Sequence, residues 1–134
     1  METKKVIIVD ENKLARSILS VFIQEYGNNC LIIEAENSED FLELLAYHKP
    51  DIVLIDVKKP VYDTLKATRI AMSRFANLKV IAFSANHNDV KVENFIFAGV
   101  NGFLIKPNGP IEIQKAMKKV LNAGLYFSHE LIYN

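Results

Sequence analysis

Asp51-Ile52-Val53-Leu54-Ile55-Asp56 sets four aliphatic residues between two aspartates. The run is too short for a helix and has no polar face, as expected of a strand buried on both sides of a parallel sheet. Asp56 then places a carboxylate at the strand's carboxyl end. The pattern recurs along the chain. Val6-Ile7-Ile8-Val9 runs into Asp10-Glu11, Val80-Ile81-Ala82-Phe83 into Ser84, and Gly102-Phe103-Leu104-Ile105 into Lys106-Pro107. In an open parallel sheet, ligands bind outside the carboxyl ends of the strands. Three acids, a hydroxyl and a lysine gathered there suit a divalent cation and a phosphoryl group.

Outward from these runs, strands are expected at residues 5–9, 30–35, 51–55, 79–83 and 101–105, alternating with amphipathic stretches. Leu14, Ile18, Val21 and Phe22 recur at helical spacing in the first stretch. Ser38 suits the N-cap of a second helix carrying Phe41, Leu42 and Leu45. Leu65, Ile70 and Phe75 mark a third, and Val92, Phe95, Ile96 and Ala98 a fourth ending at Gly99. The fifth starts near Pro110 and runs through Ile113, Met117, Val120 and Leu121 to Gly124. Strands alternating with helices require parallel pairing and right-handed crossovers, hence a single α/β domain with a sheet covered on both faces.

Composition narrows the function classes. The 134 residues make one domain, and half of them are hydrophobic, as in a globular protein. Sixteen basic side chains balance sixteen acidic ones, so this chain has no electrostatic footprint for direct nucleic-acid binding. Cys30, the single cysteine, is expected as a buried, inert strand residue. No apolar stretch reaches the length of a membrane span, and the opening Glu2-Thr3-Lys4-Lys5 does not resemble a signal peptide, so a cytoplasmic location is expected. Asp10-Glu11-Asn12-Lys13 after the first strand is neither a Walker loop nor a dinucleotide fingerprint, and no GxSxG elbow is present. His48, His87 and His129 stand singly, without partners at metal-ligand spacing. What remains is an oxygen-rich site of the kind that holds Mg²⁺.

The ordered set Asp10-Glu11, Asp56, Ser84 and Lys106-Pro107 resembles the receiver domain of two-component response regulators over essentially the whole chain. Pro60 after Asp56 and Ala98-Gly99 before the fifth strand support it. The resemblance implies a (βα)5 flavodoxin-like three-layer sandwich with a parallel five-stranded sheet of order 2-1-3-4-5. It implies that Asp56 accepts a phosphoryl group from a histidine kinase or phosphotransfer protein. Asp10, Glu11, Asp56 and the backbone carbonyl of Lys58 would then hold Mg²⁺. Ser84 and Lys106 would contact the phosphoryl group, Ser84 and Phe103 would switch, and Pro60 and Pro107 would be structural. The output would be a changed surface of the fourth helix, fifth strand and fifth helix, presented to protein partners that include a second copy of the chain. Such a protein is a signalling switch, not an enzyme beyond its own phosphoryl transfer and autodephosphorylation.

Three departures from the family pattern stand beside this. Lys59, beside Lys58, replaces a usual methionine, Thr64 a common glycine, and the acid pair is Asp-Glu rather than Asp-Asp; two extra lysines next to Asp56 would attract anionic donors or disturb release. Taken singly, Asp10 and Asp56 also suit loop caps, Ser84 a helix N-cap and Phe103 plain core. A receiver-like interaction module working without phosphorylation is therefore the alternative. A dehalogenase-type phosphatase would want a second aspartate where Lys58 stands. Domain bounds of 1–124 are expected, with 125–134 either a tail packed back on the domain or the start of a linker. The stretch Gly124-Leu125-Tyr126-Phe127-Ser128 resembles the passage into a LuxR-type helix-turn-helix, which favours the linker and a reading frame continuing past Asn134.

Overall fold

The apolar runs form strands β1 (Lys4–Val9), β2 (Cys30–Ala35), β3 (Ile52–Asp56), β4 (Val80–Ser84) and β5 (Gly102–Ile105), joined by a short β6 (Tyr126–Phe127). Between them lie α1 (Lys13–Gln24), α2 (Ser38–His48), α3 (Val61–Arg74), α4 (Val92–Ala98) and α5 (Pro110–Leu121), with α6 (His129–Tyr133) last. This computed structural model describes residues 3–24, 29–85, 90–105 and 109–133. Lys106, Pro107 and His87 lie outside the described residues.

Every strand pair is parallel and the order is β2-β1-β3-β4-β5-β6. Because side chains alternate along a strand, each face of the sheet gathers its own core. Ile7, Val9, Val53 and Ile55 pack with Phe41, Leu65 and Phe95 from α2, α3 and α4. Val6, Ile8, Ile52 and Leu54 pack with Leu19 and Ile23 of α1 and Ile113 and Met117 of α5. Each large side chain buried this fully stabilises the fold by roughly 1.5–3 kcal/mol. The result is the expected three-layer α/β sandwich.

Among the described residues the sheet has six strands where five were expected. The segment after Gly124 does not leave the domain at once but joins the free edge of β5. Tyr126 N–H donates to the Asn101 carbonyl at 3.0 Å and Ser128 N–H to that of Phe103 at 3.0 Å. Gly102 makes this possible, since a Cβ there would stand 2.7 Å from the Tyr126 carbonyl oxygen. Phe127 and Leu131 pack against the α2–α4 core.

Helix α1 presents a different face from the one its apolar spacing suggests. Leu14, Ile18 and Val21 are exposed and Phe22, the fourth expected residue, is partly buried against the core, whereas Arg16, Leu19 and Ile23 are buried. The helix carries two apolar stripes, and the bonds of Arg16 described below select between them. Two smaller corrections follow from local geometry. Asn37, not Ser38, caps α2, its side-chain oxygen accepting from Asp40 N–H at 2.9 Å. Cys30 is only half-buried, because β2 is an edge strand; burial, followed by the charge of Asp51, raises its thiol pKa. Among the described residues, no helix is long and apolar enough to cross a membrane.

Candidate functional site

Strand pairing positions the acids. Asp10 follows β1, and its backbone N–H is held by the Ala35 carbonyl at 3.1 Å. Its Oδ1 accepts from Asn12 N–H at 2.9 Å, and the Asn12 side chain in turn accepts from Ala15 N–H, starting α1. Arg16, one turn on, donates through Nη1 to the Asp10 carbonyl at 2.6 Å and through Nε to Glu34 Oε1 at 2.7 Å. Asp56 ends β3, and Val57 N–H just beyond it donates to the Phe83 carbonyl of β4 at 2.8 Å. Both aspartates are buried, while Glu11 is exposed.

These three acids converge on the ammonium of Lys58. Its Nζ lies 3.2 Å from Asp10 Oδ1, 3.4 Å from Glu11 Oε1 and 3.4 Å from Asp56 Oδ2. Burial alone would lower the lysine pKa, but hydrogen bonding and charge from Asp10, then Asp56, outweigh it and hold the group above its usual value. The cluster opens into a cleft of about 140 Å³ whose walls include Asn37, Pro60 and Thr64. Carboxylate oxygens, two of them on buried residues, surrounding one small cation are a donor set suited to a hard metal ion. In this arrangement the Lys58 ammonium occupies the point on which the three carboxylates converge.

The other expected residues distribute as follows. Ser84 is buried at the carboxyl end of β4, one residue beyond Phe83, which pairs in register with Asp56. Phe103 is fully buried, its ring edge-on to Phe95 of α4 at 5.7 Å between centroids. Pro60 immediately precedes α3. The roles assigned to Lys106 and Pro107 lie outside the described residues. Two side chains join the site that were given no contact in it. Lys58, expected to contribute its backbone carbonyl and noted beside Asp56, also brings its ammonium to the acids. Arg16 fixes Asp10, and its signal was phase: it shares a helical face with Leu19 and Ile23.

Comparison with known proteins agrees with this architecture. The chain is 24% identical over 130 residues to the transcriptional regulatory protein DegU of Brevibacillus brevis, covering 97% of this chain and 55% of that protein. It is 27% identical over 120 residues to the chemotaxis protein CheY of Halobacterium salinarum, covering 90% of this chain and 98% of CheY. It thus spans little more than half the length of DegU but nearly all of CheY. A LuxR-family two-component response regulator from Aurantimonas superposes with a TM-score of 0.88 at 20% identity, covering 98% of this chain and 94% of that one, a likeness of fold. The family model for the response regulator receiver domain matches residues 6–118. With that match over most of its length, the chain belongs to the response regulator receiver domain family.

Proposed function

We propose that this receiver domain is phosphorylated on Asp56 by a histidine kinase or phosphotransfer protein, with Mg²⁺ held by Asp10, Glu11, Asp56 and the Lys58 backbone carbonyl. The observation that carries the reading is the convergence of three carboxylates on one cationic point at the carboxyl edge of the sheet. Asp56 attacks the phosphorus of a phosphohistidine, forming the acyl phosphate as the phosphorus–nitrogen bond breaks. The imidazole leaves with the electron pair and takes up a proton from water. When bound, Mg²⁺ offsets the charge on the phosphoryl oxygens. Ser84 and Lys106 receive those oxygens, and the added negative charge biases a two-state surface of α4, β5 and α5 through Ser84 and Phe103. The domain acts as a switch whose only chemistry is on its own phosphoryl group, presented to protein partners that include a second copy of itself.

A second reading, an interaction module working without phosphorylation, draws on the Lys58 contacts, which compensate the acids without a metal. Mass analysis after incubation with phosphoramidate or acetyl phosphate separates the two. Wild type with Mg²⁺ should gain about 80 Da, one phosphoryl group, and Asp56→Asn should gain nothing. Equal labelling of the variant would remove Asp56 from its role, and an unlabelled wild type would favour the second reading.

A further inference from the structure

Resting on the acid set as a metal site, we propose that the Lys58 ammonium is a displaceable internal cation: it neutralises the site when metal is absent, and Mg²⁺ enters only by expelling it. Lys58 would then set the Mg²⁺ concentration at which the domain becomes competent.

Three features support a movable ion over a fixed structural pair. The ammonium is shared among three carboxylates at 3.2–3.4 Å, longer than the roughly 2.7–2.9 Å of a strong charge-assisted hydrogen bond, so it is locked to none of them. The side chain is 36% exposed and carried on a flexible four-carbon stem, which leaves a path into solvent. Its backbone start is anchored, since Val57 N–H is tied to the Phe83 carbonyl, so the head can swing while the strand end stays in place. An ordinary surface ion pair contributes little, but here two of the three carboxylates are on buried residues, where the ammonium between them offsets their mutual repulsion. The ammonium sits where the three carboxylates converge, 3.2–3.4 Å from each. Metal entry therefore requires the lysine to leave.

The test titrates Mg²⁺ alone into wild type, Lys58→Met and Lys66→Met by calorimetry, with thermal unfolding of each in EDTA and in Mg²⁺. Methionine keeps an apolar stem of similar length without the charge, and Lys66→Met removes an equal charge from an exposed position on α3 that does not line the cleft. Lys58→Met should bind Mg²⁺ at least tenfold more tightly than wild type, whereas Lys66→Met should stay within twofold. In EDTA, Lys58→Met should unfold at a lower temperature than wild type and recover on adding Mg²⁺. Lys58→Gln gives the same readouts should the methionine variant fail to fold. A Lys58→Met dissociation constant within twofold of wild type, or an equal gain in Lys66→Met, would overturn the inference. If affinities are equal while wild type still labels with phosphoramidate in a Mg²⁺-dependent way, only the inference falls. If no variant binds Mg²⁺ and wild type does not label, the proposed function falls with it.

Discussion

Arg16 brings a full charge into the packed face of α1, where it is only 7% exposed. Burial of that kind is tolerated because its guanidinium donors are used: Nη1 serves the Asp10 carbonyl and Nε serves Glu34. The two contacts differ in worth. The Asp10 bond is buried, while Glu34 is half-exposed and screened by water. Arg16→Met should therefore cost about 1–3 kcal/mol, the penalty of leaving a buried acceptor without its donor. Glu34→Gln should cost under about 1 kcal/mol. Urea unfolding of the two variants decides it, and equal losses would mean that Arg16 is held by Glu34 rather than by the site. Because the carbonyl it grips belongs to Asp10, Arg16 links the phase of a helix to the placement of a candidate metal ligand.

At the scale of elements, β6 is the feature that most changes the picture of the chain's end. It is only two residues long, yet it is tied at several points. Ser128 is fully buried and its Oγ accepts from Ile105 N–H at 3.0 Å, at the last residue of β5. Tyr126 and Ser128 hydroxyls both donate to Glu112 Oε2 of α5 at 3.3 Å. Burial, then the charge and hydrogen bond of Glu112, raise the Tyr126 pKa. A phenol whose folded pKa lies above its unfolded value contributes stability at all lower pH. That contribution disappears as pH rises through the folded pKa, above the usual tyrosine value of about 10. Gly102→Ala tests the pairing itself, because its Cβ would meet the Tyr126 carbonyl oxygen. The variant should lose about 1–3 kcal/mol, typical of forced overpacking. Its amide protection should fall at Tyr126 and Ser128 while β1 and β3 stay protected. Unchanged protection at those two amides would show that β6 is not held by this close approach.

For the whole molecule, charge balance is the governing property. Sixteen cationic and sixteen anionic side chains leave no net field to draw a polyanion. Affinity for duplex DNA rests mainly on neutralising backbone phosphates, so this 134-residue chain should show no measurable binding at physiological salt, phosphorylated or not. Fluorescence anisotropy with a labelled duplex would check this, and saturable binding that weakens with added salt would contradict it. The transcriptional regulatory protein DegU of Brevibacillus brevis extends well beyond the aligned segment, which covers 55% of its length.

Much of this protein can be read directly from residue order. Continuous apolar runs such as Ile52–Ile55 need burial on both faces, and that requirement alone dictates parallel strands with crossover helices. Acids placed after two of those runs must then meet at one edge, because parallel strands share a carboxyl end. The face of α1, the sixth strand and the cation among the acids were not legible in the same way. Leu14-Ile18-Val21 is as good a helical stripe as Leu19-Ile23, and only the contacts of Arg16 with Asp10 and Glu34, distant partners once folded, break the tie. Tyr126-Phe127 is too short to carry a strand period, and it pairs because Gly102 leaves room on β5. Lys58 reads as one of two lysines beside Asp56, and nothing in the order of residues says that it also reaches Asp10 until β1 and β3 lie side by side. Pairing then brings Asp10 and Asp56 within reach of one flexible side chain, and local periodicity carries no information about such a long-range electrostatic contact.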